Sequence, residues 1–257
     1  MKLYWLSLGW METDKNYMYA GASRATYSNQ TAENIWCRVP IECAYINHPK
    51  GKIMIDAGCN HTALTNGQNT RYIEPENDNM DYQLALCGAK PEDIDYVIIT
   101  HMHVDHIGDL AKFKNAKILV QREEFIQAFM TVHTTNAGGG SYIREDVEAD
   151  VKYTLIDGDY ELFPDVKIIT LPGHTDGQVG VQLEMKDGTV IFCSDAINTS
   201  YNYEHMMPPA KAPWDSKAYR ASIEKVRAIA EKTKAKLIFG HDEQQWETIK
   251  KAPFYYE

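Results

Sequence analysis

Thr100-His101-Met102-His103-Val104-Asp105-His106-Ile107-Gly108-Asp109 is the stretch on which the reading of this chain turns. Three histidines and two aspartates crowd into it, directly after the apolar run Tyr96-Val97-Ile98-Ile99. A buried strand has no use for such a cluster at its exit unless something holds the polar groups together. Imidazole nitrogen and carboxylate oxygen are the usual ligands of zinc and similar divalent ions. Side chains two apart in an extended segment point to the same side. His101 and His103 are therefore spaced to clamp one ion, and a turn at Asp105 and His106 would aim those two at a second point nearby. A lone histidine is by default a surface or hydrogen-bonded residue; this cluster, behind a β-branched strand, points to metal.

Working outward, the same pattern recurs. Val166-Lys167-Ile168-Ile169-Thr170-Leu171 runs into Pro172-Gly173-His174-Thr175, and Val190-Ile191-Phe192-Cys193 runs into Ser194-Asp195-Ala196. Lys236-Leu237-Ile238-Phe239 runs into Gly240-His241-Asp242. Four strands thus end in a candidate ligand, and loops at one end of a sheet can converge on one site. The remaining histidines, His48, His61, His133 and His205, lie in loop-like stretches and read as surface residues.

The rest of the chain supplies a frame. Leu3 to Leu8 and Val39 to Asn47 read as strands, and a turn at Pro49-Lys50-Gly51 makes a hairpin with Lys52-Ile53-Met54-Ile55-Asp56. Residues 20–34 and 59–79 read as polar excursions. Met80 to Cys87 reads as a helix stopped by Gly88, Lys117 to Val120 as a strand and Arg122 to Met130 as a helix. Thr131 to Tyr142 holds Gly138-Gly139-Gly140 without the Lys-Ser/Thr of a phosphate loop, so a flexible loop is expected. Asp215 caps an amphipathic helix reaching Lys234, with Tyr219, Ile223, Val226 and Ile229 on its buried face.

At 257 residues, one domain over 1–257 with a substantial core is expected. The formal net charge of -10 repels phosphate backbones, which argues against nucleic acid. No stretch approaches the roughly 20 apolar residues of a bilayer span. Five scattered cysteines without a Cys-x-x-Cys pair fit free thiols in a reducing compartment, and the opening residues read as a first strand, so a cytoplasmic protein without membrane contact is expected.

Together, Thr-His-Met-His-Val-Asp-His (100–106), Pro-Gly-His-Thr (172–175), Ser-Asp-Ala (194–196) and Phe-Gly-His-Asp (239–242) resemble the metallo-β-lactamase superfamily. Ile-Asp-Ala-Gly (55–58), Leu-Val-Gln-Arg-Glu-Glu (119–124), the run 157–166 and Phe-Gly-His-Asp-Glu-Gln-Gln-Trp (239–246) resemble its N-acyl-homoserine lactone lactonase branch. The resemblance implies an α/β fold, an αβ/βα sandwich of two mixed β-sheets with helices on the outer faces. It implies two divalent ions, zinc by default with manganese, iron or cobalt as alternatives. His101, His103 and His174 would hold one, Asp105, His106 and His241 the other, and Asp195 would bridge them.

Two positions depart from the branch. Gln178 stands where a further histidine is usual, at a position that is not a ligand. Asn198 stands where the lactonases carry a tyrosine that polarises the substrate carbonyl; its amide, or Tyr201 or Tyr203, is the candidate replacement. The expected reaction is hydrolysis of a lactone or other small ester, possible targets including the acyl-homoserine lactones of quorum sensing. Asp105 is the expected general acid/base and Asn198 the expected aid to the oxyanion. The competing readings are a thioesterase of the glyoxalase II type, whose relatives usually carry a basic C-terminal helical extension that is not expected after Trp246 here, and a metal-binding protein without turnover. Both monomer and homodimer fit, the polar 20–36 segment and Phe254-Tyr255-Tyr256 being candidate contacts.

Overall fold

Leu3–Leu6 in β1 (Lys2–Asp14) and Val39–Ile46 in β2 (Trp36–His48) are buried on both faces, so they read as nearly continuous apolar runs, while the far end of β1 and the start of β2 are partly exposed and polar. The computed structural model describes residues 1–59, 70–73, 76–134, 141–209 and 215–257. β2 turns through Pro49 and Lys50 into β3 (Gly51–Ile55), with His48 opposite Gly51, which is the expected hairpin. β4 (Thr70–Ile73), β5 (Tyr96–Ile98), β6 (Lys117–Gln121) and β7 (Lys152–Ile156) complete a seven-stranded sheet in the order β4-β1-β2-β3-β5-β6-β7. Its first half is antiparallel and β3, β5, β6 and β7 run parallel.

The second sheet is five-stranded, β12-β11-β10-β9-β8, built from β8 (Tyr160–Phe163), β9 (Val166–Thr170), β10 (Val179–Met185), β11 (Gly188–Phe192) and β12 (Lys236–Ile238). Leu3, Trp5, Ala44, Ile46, Ile53 and Ile98 of the first sheet pack against Val166, Ile168, Val181 and Phe192 of the second. Trp5 meets Phe192 edge-on with ring centroids 5.2 Å apart. Burying a side chain of this size stabilises by roughly 1.5–3 kcal/mol.

Helices cover both outer faces. α1 (Lys15–Met18), α2 (Met80–Leu86), α3 (Val104–Ile107), α4 (Arg122–Thr134) and α5 (Arg144–Val147) precede the second sheet in the chain. Met80, Leu84, Ala128, Val132 and Val147 from this group close over the outer face of the large sheet. α6 (Ser200–His205), α7 (Ser216–Thr233) and α8 (Glu243–Thr248) follow. The Asp215 carboxylate caps α7 by accepting the N–H groups of Lys217 and Ala218, and Tyr219, Ile223 and Val226 bury its apolar stripe on the small sheet. The result is the expected αβ/βα sandwich.

Some expectations need correction. β4, β7 and β8 were not legible as strands, and β4 falls inside the stretch read as a polar excursion. The helix expected to end at Met130 continues to Thr134. The glycine-rich run 138–140, His61 and most of 59–69 lie outside the described residues. His48 is buried, with its ring stacked on Phe163. The aromatic tail pairs with its own chain: Leu3 and Tyr256 exchange backbone hydrogen bonds of 3.0 and 2.9 Å.

Candidate metal centre

Each of the four motif loops follows a strand: His101 to His106 follow β5, His174 follows β9, Asp195 follows β11 and His241 follows β12. The first strand belongs to the large sheet and the other three to the small one, so the loops meet where the two sheets abut. Two contacts lock this seam: Val179 N–H donates to Thr100 O at 2.9 Å, and the Thr100 and Ser194 hydroxyls are 2.8 Å apart. Gly240 is required by close approach, since a Cβ there would lie 2.6 Å from the Ser194 backbone and 2.9 Å from an Asp195 carboxylate oxygen.

All seven side chains expected as ligands are buried and converge. His101 Nε2 and His174 Nε2 each lie 3.0 Å from His103 Nδ1. Asp105 Oδ2 lies 3.5 Å from His106 Nε2 and 3.4 Å from His241 Nε2. Asp195 spans both groups: Oδ2 is 3.2 Å from His174 Nε2, while Oδ1 is 3.4 Å from His106 Nε2 and 3.2 Å from His241 Nε2. Within each of the trios His101/His103/His174, His101/His106/Asp195 and Asp105/His106/His241, the donor atoms lie within 4.8 Å of one another.

This donor set fits divalent ions. His106 Nε2 and Asp195 Oδ1 are buried and make no hydrogen bond, although both face the cluster. A buried polar atom without a partner is costly, and an ion would satisfy it. The far sides of two rings are held, as ligand histidines usually are. His106 Nδ1 lies 2.8 Å from Asp56 Oδ2, and His241 Nδ1 lies 2.9 Å from Pro40 O. Asp56, at the end of β3, also accepts the Thr100 N–H at 2.8 Å and its hydroxyl at 2.7 Å.

The two halves differ in charge. Burial, with neighbouring imidazoles, holds His101 well below the ordinary histidine range. Burial and His174 lower His103 to about 3, and burial also lowers His174. These three rings are neutral. At His106 and His241 burial acts in the same direction, but carboxylates outweigh it. Asp105 and Asp56 raise His106 well above its ordinary value, and Asp195 and Asp105 raise His241 to about 10. Against their own burial, Asp105 and Asp195 are held well below the carboxylate range by these histidines.

The expected free amide at position 198 is not free. Asn198 is buried; its Nδ2 donates to Asp195 Oδ2 at 2.9 Å, and its Oδ1 accepts the Tyr219 hydroxyl at 3.1 Å. The oxygen and one of the two N–H donors of the amide are therefore engaged within the protein. Tyr203 packs against Phe239 under the guanidinium of Arg227. Tyr201 instead stands against Tyr19, ring centroids 5.7 Å apart, and stacks on His205. Gln178 is buried and donates to Val179 O. Asp56, Glu124 and Tyr219 are given no part in the site by the sequence reading, which places Tyr219 only on a buried helix face; of these only Asp56 has the strand-end signature that marks the ligands.

An αβ/βα sandwich with a two-centre His/Asp cluster at the seam of its sheets defines the class of protein. The chain belongs to the metallo-beta-lactamase superfamily, whose family model matches residues 38–241. It is 30% identical over 265 residues to an N-acyl homoserine lactonase of Bacillus cereus, covering 99% of this chain and 98% of that one. It is 32% identical over 227 residues to an N-acyl homoserine lactonase of a Bacillus species, covering 84% of this chain and 87% of the relative. Among solved structures, an N-acyl homoserine lactone hydrolase with the product N-hexanoyl-L-homoserine at its catalytic metal centre superposes with a TM-score of 0.84. That protein is 27% identical, with 99% of this chain and 98% of the other covered.

Proposed function

We propose that this chain is a metal-dependent hydrolase that opens lactone rings, with N-acyl homoserine lactones as the first substrates to consider. The observation that carries the reading is Asp195, which faces His174 with one oxygen and His106 and His241 with the other. A carboxylate so placed would serve two ions, one that His101, His103 and His174 would hold and one that Asp105, His106 and His241 would hold. Relatives that act on N-acyl homoserine lactones match nearly the full chain and support the substrate class.

Divalent ions held by these residues would supply the chemistry of a hydroxide available at neutral pH and a polarised ester carbonyl. The protein's own groups do the rest. Asp105 is ionised and faces the cluster, so it orients the nucleophile and accepts its proton. It then returns that proton to the leaving alkoxide. Asp56 and the Pro40 carbonyl fix the tautomers and orientations of His106 and His241. Asn198, tied between Asp195 and Tyr219, holds the bridging carboxylate rather than serving the substrate oxygen. Zinc suits these nitrogen and oxygen donors, with manganese, iron and cobalt as alternatives. Five free cysteines fit a cytoplasmic setting. No helix among the described residues is long and apolar enough to cross a membrane.

The test is acid release from a panel of lactones by metal-replete protein, beside a chelator-stripped control. The panel spans short and long acyl-homoserine lactones, plain γ- and δ-lactones and an aromatic-fused lactone. Metal-dependent opening of acyl-homoserine lactones is expected. Opening of the other lactones alone would move the substrate to a sister branch. No opening across the panel, with metal bound, would sink the lactonase reading and favour thioesters.

A further inference from the structure

Behind the His101/His103/His174 half lies a carboxylate that no step above uses. Glu124, in the first turn of α4, is fully buried. Its Oε1 accepts the Met102 N–H at 2.8 Å and the Tyr142 hydroxyl at 3.2 Å, and its Oε2 accepts the Thr175 hydroxyl. The Gly177 N–H donates to the same carboxylate. Met102 lies between His101 and His103 in the chain, and Thr175 follows His174. The Tyr142 ring stands 4.7 Å from the His103 ring. One side chain therefore gathers the backbone segments that carry all three imidazoles.

The chemistry of the group matches that task. An ionised carboxylate only accepts, with about four lone-pair sites, and four donors from three segments meet it here. Contact between the His174 loop and α4 is close enough to demand glycine, since a Cβ on Gly177 would lie 2.3 Å from Glu124 N. We infer that Glu124 is a positioning residue for the ion held by His101, His103 and His174, setting the spacing of those imidazoles from behind. This rests on the dinuclear reading proposed above. Replacing it by glutamine keeps the volume but leaves one oxygen to serve four donors, so the two ligand loops lose their common anchor.

Metal retention tests this independently of turnover. Zinc-loaded wild type and Glu124→Gln are dialysed against graded chelator, and the zinc left per chain is measured. His174→Ala and His241→Ala mark the loss from either half, and cobalt-substituted samples give a spectrum for each half. Unfolding of the stripped proteins is followed separately. Wild type should hold two ions. Glu124→Gln should release one about 10–100-fold more readily, with a cobalt spectrum approaching that of His174→Ala, and hold the other as wild type does. Tyr142→Phe and Thr175→Val each remove one donor and should shift the same ion by a smaller factor. They carry the test if Glu124→Gln does not fold. Two ions held with wild-type affinity in the variants would overturn the inference, as would equal weakening of both ions or loss confined to the His241 half. A wild type that binds fewer than two ions overturns the dinuclear reading and this inference with it; two ions in wild type with unchanged variants overturn this inference alone.

Discussion

His48 and His106 are both buried and both lean on an aspartate that is not itself a candidate ligand, and of the two only His106 belongs to the metal centre. His48 lies at the β2–β3 turn, its Nε2 3.2 Å from both Asp165 oxygens and its Nδ1 accepting the Lys50 N–H at 3.1 Å. His106 holds Asp56 with Nδ1 at 2.8 Å but leaves Nε2 without a hydrogen bond, facing Asp105, Asp195 and His241. Burial and an acidic partner are common to both. A ring nitrogen kept free, aimed at other ligands, is what separates a candidate ligand from a structural residue.

The largest effects should come from the free-nitrogen side. Asp105→Asn keeps the shape but removes the proton acceptor, and kcat should fall by roughly 10²–10⁴-fold while the His101/His103/His174 half keeps its ion. His106→Ala should lose comparable activity and one metal per chain. Near-wild-type turnover in Asp105→Asn would remove Asp105 from its assigned role.

Charge sharpens the contrast through pH. In chelator-stripped protein His106 and His241 carry protons at neutral pH, because Asp105, Asp56 and Asp195 outweigh their burial. An ion binding there must displace those protons, so its affinity falls as pH falls, by about tenfold per pH unit for each proton released. His101 and His174 are depressed and His103 lies at about 3, so their half has no proton to displace at neutral pH. Acidification should therefore release the ion of the His241 half first, and zinc titration in weak buffer should show proton release with one equivalent. Stability of the stripped protein has the matching sign. The raised His241 contributes fully below its ordinary 6.5 and loses that contribution as pH rises through about 10. Simultaneous loss of both ions on acidification would contradict the asymmetry.

The groups behind the ligands come next. Asp56→Ala frees the His106 ring and should weaken the ion of that half by about 10–100-fold. Asn198→Ala should act more weakly, by about tenfold, and on metal retention together with kcat, because the amide holds Asp195. A fall in kcat with both ions retained at wild-type affinity would instead return Asn198 to the substrate carbonyl.

Much of this site is legible in the sequence because every candidate ligand sits in a segment that follows a strand, and four of these segments open where an apolar run gives way to a histidine or aspartate. The supporting groups are not, because their meaning lies in partners far along the chain. Asp56 meets His106 across 50 positions, and Glu124 meets Met102, Tyr142 and Thr175 across 22, 18 and 51. Asn198 looks like an available amide until Tyr219, 21 positions away, is seen to occupy its oxygen. The strands that escaped notice are all at sheet edges: β4 and β7 bound the large sheet and β8 the small one. An edge strand pairs on one side and is incompletely covered, so its sequence needs less apolar content; β4 buries only Tyr72. His48 reads as a surface residue for a related reason, since Phe163 and Asp165, which bury and bind it, come from the other sheet.

The smallest effect on function should come from His48 itself. Its ring stacks on Phe163 with centroids 4.5 Å apart and planes 9° from parallel, which pins the β2–β3 turn to the turn between β8 and β9. Alanine there removes a buried ring and leaves the Lys50 N–H without its acceptor, at a cost of about 1–2 kcal/mol. The Asp165 contact adds little to that figure, because the carboxylate is 39% exposed and screened by water. Urea unfolding should show the loss, while kcat stays within about twofold of wild type and both ions are retained, because the ring touches none of the candidate ligands. Should His48→Ala instead shed an ion, a free ring nitrogen would no longer distinguish the two His–Asp pairs, and the far turn would have to be coupled to the centre through the β2 strand that also supplies the Pro40 carbonyl to His241.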